Sequence, residues 1–302
     1  MAVRKTSVYL SDELKAALAS AAQRWERSEA ELIRLAIEQF VAPPEVTASA
    51  GRAVVRHGVA PRGPRLIGVG VGPGAPDLLT DRARSTLTNA DRVFAGATAP
   101  DAIGRAETIV RAALPEVMVD RLVWSIQPDG SSPVSRADSR HAAAELVVQH
   151  LDRQEVVAFV TLGDPNVYSA FPALAADVRA LRPDVPIDSV PGVMAFQELA
   201  AQSHTVVADD GQDLHIVTMR DDLDAFDHWL ENPDHAVVVY KGGRNLPALA
   251  QHLADRGRLD HAVIGELLGQ PGERAQAVSD VADRPASYLA TVIVPPRRAD
   301  QP

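Results

Sequence analysis

Three short loops carry the residue types best suited to holding a ligand. They are Gly68-Val69-Gly70-Val71-Gly72-Pro73-Gly74-Ala75-Pro76, Gly163-Asp164-Pro165-Asn166-Val167-Tyr168-Ser169 and Pro191-Gly192-Val193. Each follows aliphatic or β-branched residues: Leu66-Ile67, the run 156–160, and the run 187–190. Buried parallel strands read as such runs. Glycine at the carboxyl end of a strand lets a ligand approach the backbone closely, and open α/β sheets bind ligands at that edge. Three loops of this kind predict one composite cofactor site.

The first loop also satisfies G-x-G-x-x-A from Gly70 to Ala75, the pattern of dinucleotide binding. A lone match of that kind is weak. Pro73 fixes φ and removes a donor where a pyrophosphate needs backbone N–H groups. The acid expected after the second strand is missing, since Asp91 precedes Val93-Phe94-Ala95 and Gly96 follows them. A plain strand-to-helix turn without ligand is the other reading of this loop taken alone.

Alternating strands and helices must position these loops. Helical spacing runs over 77–89 with Leu78, Leu79, Ala83 and Leu87. A short strand is expected at 92–95, a helix at 99–113 and a loop at 120–135. A long helix is predicted over 136–152, with Ala143, Leu146, Val147 and Leu151 on one side. The strand into Gly163 is followed by a helix over 167–181. The strand 187–190 then leads to Pro191-Gly192 and a helix over 195–202. A second unit begins near Thr205, with strands at 214–218, 236–240, 262–266, 274–278 and 288–294 and helices at 223–231 and 246–256. This order predicts an α/β protein with two domains, 65–204 and 205–297, mixed strand pairing in the second, and a tail at 298–302.

Composition narrows the chemistry. The chain has 302 residues and no cysteine, which excludes disulfides, thiolate-held iron–sulfur clusters and a cysteine nucleophile. Its nine histidines form no metal-binding sequence motif, so no metal is expected. The N-terminus lacks an apolar signal region, and no stretch approaches the ~20 apolar residues of a membrane span; a cytoplasmic protein without a membrane partner is the expectation. Residues 65–302 hold 21 basic and 33 acidic side chains. That segment is a poor general attractor for nucleic acid.

Taken together, the three loops resemble the tetrapyrrole (corrin/porphyrin) methylase family. The carrying residues are the G-x-G-P-G-x-P-x-L-L-T stretch from Gly70 to Thr80, Gly163-Asp164-Pro165 with Tyr168-Ser169, and Pro191-Gly192-Val193. The segment from Tyr240 to Pro247 and the closing run from Ser287 to Val294 are also similar to the family, so the likeness covers roughly 65–297. The stretch from Thr161 to Ser169 is most like the branch that methylates precorrin-2 at C20 in cobalamin biosynthesis. The resemblance implies a two-domain α/β fold with S-adenosylmethionine in the cleft between the domains, and methyl transfer to a tetrapyrrole carbon. It places Pro73, Leu162, Gly163, Asp164, Val167, Ser169, Met194 and Ala195 near the cofactor, with Leu246, Ala290 and Thr291 carried over on weaker matches. The Asp164 carboxylate could pair with the cofactor's α-amino group, or cap a helix ahead of Pro165. Methyl transfer from a sulfonium needs little acid–base equipment, and no catalytic residue is assigned.

Two features depart from that pattern. Many relatives have an acid between the two prolines of the first loop, whereas this chain has Ala75, with Asp77 two positions on. Corrin precursors carry many carboxylates, yet this segment is acidic. Recognition must then fall to local cations. The substrate candidates are Arg136, Arg140, Lys241 and Arg244, with Tyr168 as a cleft-lining ring. A methyltransferase acting outside corrin synthesis is the alternative.

Residues 1–42 do not belong to the methylase pattern. Thr6, Val8 and Leu10 alternate with Lys5, Ser7 and Tyr9, as in a strand. Ser11 can cap a first helix carrying Leu14, Leu18, Ala22 and Trp25. Ser28 and Glu31 form a capping box for a second, with Leu32, Leu35, Ala36 and Phe40. Strand, helix, helix in about 40 residues cannot bury an adequate core alone. The module resembles the ribbon-helix-helix family, which implies a homodimer and possible DNA contact through Lys5, Ser7, Tyr9 and Ser28. Its six basic and six acidic residues give no net charge, which leaves pure dimerisation as an equal reading. A regulator that senses S-adenosylmethionine or a tetrapyrrole, with little catalysis, is a further alternative. Residues 43–64, with Pro43-Pro44, Arg52, Arg56, Arg62 and Pro64, read as a linker.

Overall fold

A computed structural model describes residues 11–24, 28–34, 63–124, 136–219, 223 and 226–297. The chain divides into two compact units, 1–62 and 63–302. In the first unit, α1 (Asp12–Arg24) begins where Ser11 caps it: Ser11 Oγ accepts from the Leu14 N–H at 3.4 Å. A second helix, α2 (29–34), begins at Ser28, whose Oγ accepts from the Glu31 N–H at 3.3 Å. Both predicted cap signals therefore start helices. The strand with Lys5, Ser7 and Tyr9, the apolar positions Trp25, Leu35, Ala36 and Phe40, and most of the linker lie outside the described residues.

In the second unit the apolar runs of the sequence become the centre of a five-stranded sheet. Its strands are β1 (Arg65–Gly70), β2 (Arg92–Ala97), β3 (Asp120–Val123), β4 (Val156–Thr161) and β5 (Ile187–Val190), in the order β3-β2-β4-β1-β5. All pairings are parallel. Strand β1 is buried throughout because its two faces feed two cores. On one side Leu66, Val157 and Phe159 pack against α5 (Arg136–Asp152) and α6 (Phe171–Leu181) through Ala143, Val147, Leu151, Leu174 and Val178. On the other, Ile67, Val69, Ala158 and Val160 meet Ala83, Leu87, Ile109 and Val110 of α3 (Asp81–Asn89) and α4 (Arg105–Ala113). Each large side chain so buried contributes about 1.5–3 kcal/mol. That is why these strands read as continuous apolar runs rather than alternating ones.

A helix α7 (Ala195–Gln202) leads to a second sheet of β6 (Asp213–Thr218), β7 (His235–Tyr240), β8 (Val263–Glu266), β9 (Arg274–Ala277) and β10 (Thr291–Val294), in the order β6-β7-β10-β8-β9. Here β6 and β7 run parallel, while β10 is antiparallel to both β7 and β8. The mixed pairing matches the expectation. Helices α8 (Asp227–Leu230) and α9 (Leu246–Asp255) supply Leu230, Leu249 and Leu253 to one face. Helix α7 supplies Leu199 to the other, against Val238 and Ile293.

Several element boundaries differ from the sequence reading for local reasons. The helix expected at 77–89 is a 3-10 turn over Pro76–Leu78 and then α3, because Thr80 Oγ1 accepts from the Ala83 N–H at 3.2 Å and caps a new start. The helix expected at 99–113 begins only at Arg105, after Gly104. Residues Asp120–Val123 are an edge strand rather than loop, paired to β2 through Phe94–Ala97. The helix expected at 167–181 begins at Phe171, whose N–H is held by Ser169 Oγ at 3.2 Å. Asp164 is therefore not the cap of that helix. The expected strand 288–294 is confined to β10, and the helix at 223–231 to α8 with its neighbours.

Candidate functional site

The parallel register brings the carboxyl ends of β1, β4 and β5 level, with Gly70 beside Thr161 and Val69 beside Val190. The three glycine loops therefore leave one edge of the first sheet together. They also lock onto each other. The Gly163 N–H donates to the Gly72 carbonyl at 2.8 Å, and the Val71 N–H to the Thr161 carbonyl at 3.0 Å. A Cβ on Gly70 would overlap the Gly163 carbonyl oxygen and the Gly192 nitrogen; a Cβ on Gly192 would overlap the same oxygen. Only glycine admits this approach of three backbones. Gly163 itself has φ of +66° and open space where a Cβ would be.

Asp164 ties the second loop to the third. Its Oδ2 accepts from the Gly192 N–H at 3.2 Å and its Oδ1 from the Asn166 N–H at 2.8 Å. Asn166 reaches the same strand end, its Nδ2 donating to Ser189 Oγ at 3.1 Å.

A cleft of about 770 Å³ opens between this edge and the second sheet. Of the residues picked from sequence, Pro73, Leu162, Gly163, Asp164, Val167, Tyr168, Ser169, Met194, Ala195 and Thr291 all line it. Tyr168 is held at φ of +49°, and its hydroxyl donates to the Ile216 carbonyl at 2.7 Å, so it bridges from the first loop cluster to β6. Thr291 is fully buried, and its Oγ1 has no hydrogen-bond partner among the described residues. Leu246 and Ala290 are instead buried in the core beneath α9 and do not line the cleft.

The cations divide. Arg140 and Lys241 line the cleft, but Arg140 Nε is engaged by Asp177 at 2.5 Å. Arg244 lies outside the lining, its guanidinium 5.1 Å from the centre of the Tyr288 ring, which does line it. Arg136 falls in α5, and its side chain is outside the described residues. Asp77 is exposed in the 3-10 turn and does not reach the cleft.

Sequence reasoning missed one wall altogether, the segment from Gly96 to Ala106 with Ile103 and Arg105. Its signal was the strand β2, which runs parallel beside β4 and so must empty its following loop onto the same edge. This wall is anchored by Glu107 of α4. Arg121 donates through Nε and Nη2 to both Glu107 oxygens, at 2.7 and 2.8 Å. Those bonds from Arg121, joined by Arg111, hold the buried carboxylate below its ordinary pKa against the cost of burial. Tyr240 closes the opposite side; burial pushes its phenol up to about 12, and its oxygen accepts from the Phe196 N–H at 3.4 Å. At neutral pH it is a neutral hydroxyl.

Comparison with known proteins agrees with this fold. The model of the Tetrapyrrole (Corrin/Porphyrin) Methylases matches residues 65–281. A precorrin-2 C(20)-methyltransferase from Sinorhizobium sp is 33% identical over 237 residues, 76% of this chain and 95% of that protein. A cobalt-precorrin-2 C(20)-methyltransferase from Salmonella typhimurium is 29% identical over 235 residues, again 76% and 95%. Among solved structures, uroporphyrin-III C-methyltransferase from Thermus thermophilus, complexed with S-adenosylhomocysteine, aligns with a TM-score of 0.53 at 21% identity. That alignment covers 76% of this chain and 92% of that one.

Proposed function

Because this chain belongs to the tetrapyrrole (corrin/porphyrin) methylase family, whose members are S-adenosylmethionine-dependent methyltransferases, we propose that it methylates a corrin precursor, precorrin-2 or its cobalt complex, at C20. The carrying observation is the convergence of Gly70 and Gly192 on Gly163, which lines the cleft. The residues fit the cofactor. Gly163 leaves open space where any side chain would intrude, and Thr291 Oγ1 is a buried polar atom waiting for a partner.

S-adenosylmethionine, when bound, supplies an electrophilic methyl group on a cationic sulfur. What remains for the protein is orientation and exclusion of water, and well-held reactants gain about 7–11 kcal/mol from orientation alone. Gly163 and its neighbours Leu162 and Val167 form the bed for the cofactor, with Pro73, Ser169, Met194, Ala195 and Thr291 around it. Asp164 positions the loops: both its oxygens already accept backbone N–H bonds, and each keeps a lone pair for a further donor such as an ammonium. Ile103, Trp124, Phe159, Tyr168 and Tyr288 give the cleft an apolar lining suited to a macrocycle face. Arg105 has no ion-pair partner among the described residues, and with Lys241 it is placed to receive substrate carboxylates. Local cations of this kind support the reading despite the acidic balance of the segment.

The N-terminal unit fits a separate role in homodimer formation, with DNA contact through Lys5, Ser7 and Tyr9 as its finer form. Its support is that both helices start at their caps and that Leu14 is 60% exposed.

Calorimetry is expected to show binding of S-adenosylmethionine and S-adenosylhomocysteine and none of NAD. Incubation with precorrin-2 is expected to release S-adenosylhomocysteine and give a product methylated at C20 by ¹³C NMR. NAD binding without S-adenosylmethionine binding overturns methyl transfer. Cofactor binding without turnover on either form of precorrin-2 overturns the substrate and favours the non-corrin reading that Ala75 raises. Residues 1–46 alone are expected to sediment as a dimer, and a monomer overturns the dimer role.

A further inference from the structure

The second sheet gathers a different set of side chains at the end remote from the cleft. Strands β6 and β7 run parallel with Asp213 beside His235. His215 stands two residues along β6, hence on the same face as Asp213. The two imidazole rings lie 4.7 Å apart, and His215 stacks on Trp229 at 5.4 Å, which fixes its plane. One ligand atom from each of Asp213, His215 and His235 falls within 4.8 Å of the others.

The polar bonding of this cluster is incomplete. His215 Nε2 and His235 Nδ1 are buried and have no hydrogen-bond partner among the described residues. His235 Nε2 faces the Asn232 amide nitrogen at 3.0 Å and Asp213 Oδ2 at 3.3 Å. That single nitrogen thus meets a donor and an acceptor. A proton on it suits the carboxylate and opposes the amide; a lone pair does the reverse. A cation shared by the carboxylate and the two rings would satisfy more of these atoms than either protonation state.

We propose that Asp213, His215 and His235 form a binding site for one divalent transition-metal ion of the zinc class, with water completing its coordination. Two imidazoles and one carboxylate suit zinc, cobalt or nickel, whereas magnesium and calcium prefer oxygen ligands throughout. An ion bound at about 2.0–2.2 Å draws its ligand atoms somewhat closer than the cluster holds them. Asp213 can make that adjustment, because its side chain is 73% exposed and free to turn. The site lies at the start of β7, five residues from Tyr240 at the cleft, a separation of roughly 16 Å along the strand. The ion is therefore structural: it clamps the edge strand β6 to β7, where the sheet has no further strand to cover it.

The test uses the full chain after treatment with a chelator. Titration with Zn²⁺ by calorimetry is expected to give one ion per chain with a raised melting temperature, and Co²⁺ to give visible absorption of low-coordinate cobalt. His215→Gln and His235→Gln should each weaken Zn²⁺ binding at least tenfold. Asp213→Asn, at an exposed position that leaves packing intact, should weaken it about tenfold, and His261→Gln should leave it unchanged. Absence of stoichiometric Zn²⁺ binding, or binding that survives all three cluster variants, overturns the proposal. So does a melting temperature that responds to pH but not to Zn²⁺, which would mean that the cluster holds a proton only.

Discussion

At the cleft the first sheet works through backbone, and the second works through side chains. In the first, three glycines bring three loops into contact, and Asp164 bonds the second loop to the third. In the second, Tyr240 and Thr291 enter the cleft as side chains from strand ends. The difference follows from topology. Parallel strands end at a common edge, so their loops can form one surface and glycine decides how closely they approach. In the mixed sheet β10 runs against its neighbours, so the start of one strand meets the end of another and side chains fill the space between. A methyl donor needs close shape and exclusion of water, which backbone supplies; a substrate needs selective polar contacts, which side chains supply.

The largest effect is expected where backbone carries the function. Gly163→Val should abolish measurable S-adenosylhomocysteine binding, a loss of at least about 10³-fold or roughly 4 kcal/mol. The positive φ of this residue should also lower stability by about 1–2 kcal/mol. Calorimetry with circular dichroism checks both, and unchanged affinity in a folded variant would remove Gly163 from the site.

Next in size is the anchor of the wall after β2. Glu107→Gln removes the charge that Arg121 and Arg111 surround, and should destabilise the chain by roughly 3 kcal/mol at neutral pH. The folded-state pKa of Glu107 is depressed, so its contribution is complete above the unfolded value of about 4.3. It disappears as pH falls through the lower folded value. Urea unfolding of both proteins from pH 7 down to pH 3 should show the gap closing only in the acid limb; a gap independent of pH would mean that packing, not charge, supplies it.

The smallest effect sharpens the side-chain half of the comparison. Thr291→Val deletes a buried hydroxyl that has no hydrogen-bond partner among the described residues, so the ligand-free protein should hold or gain stability, by up to about 1 kcal/mol. Binding of S-adenosylhomocysteine should weaken about tenfold, near 1.4 kcal/mol. Thermal melts with and without ligand separate the two. If this variant cost more affinity than Gly163→Val, the division between the sheets would be reversed.

Much of the first sheet was legible in the sequence because its signals are local. An apolar run, a glycine and a proline-bearing loop report a buried strand and its edge without knowledge of the neighbours, and nine of the eleven proposed cofactor contacts line the cleft. The exceptions have physical causes. Leu246 sits at the start of α9 where motif and core coincide, and the core takes it. Asp120–Val123 has two charged residues in four and is exposed at both ends, so it does not read as a strand; its identity depends on pairing with β2 and on Arg121 finding Glu107. Two helix starts were misjudged by several residues where a hydroxyl, Thr80 Oγ1 or Ser169 Oγ, takes one of the first N–H groups.

The sequence by itself determined the family, the α/β class and the three loops, since these rest on residue types in short stretches. Only the tertiary structure decided that Asp164 bonds a backbone 28 residues away, that Arg140 is already paired with Asp177, and that Asp213, His215 and His235 share one corner of a sheet. Strand register and long-range pairing make those contacts, and neither can be read from one stretch of chain, because each depends on which distant surface wins the competition for burial.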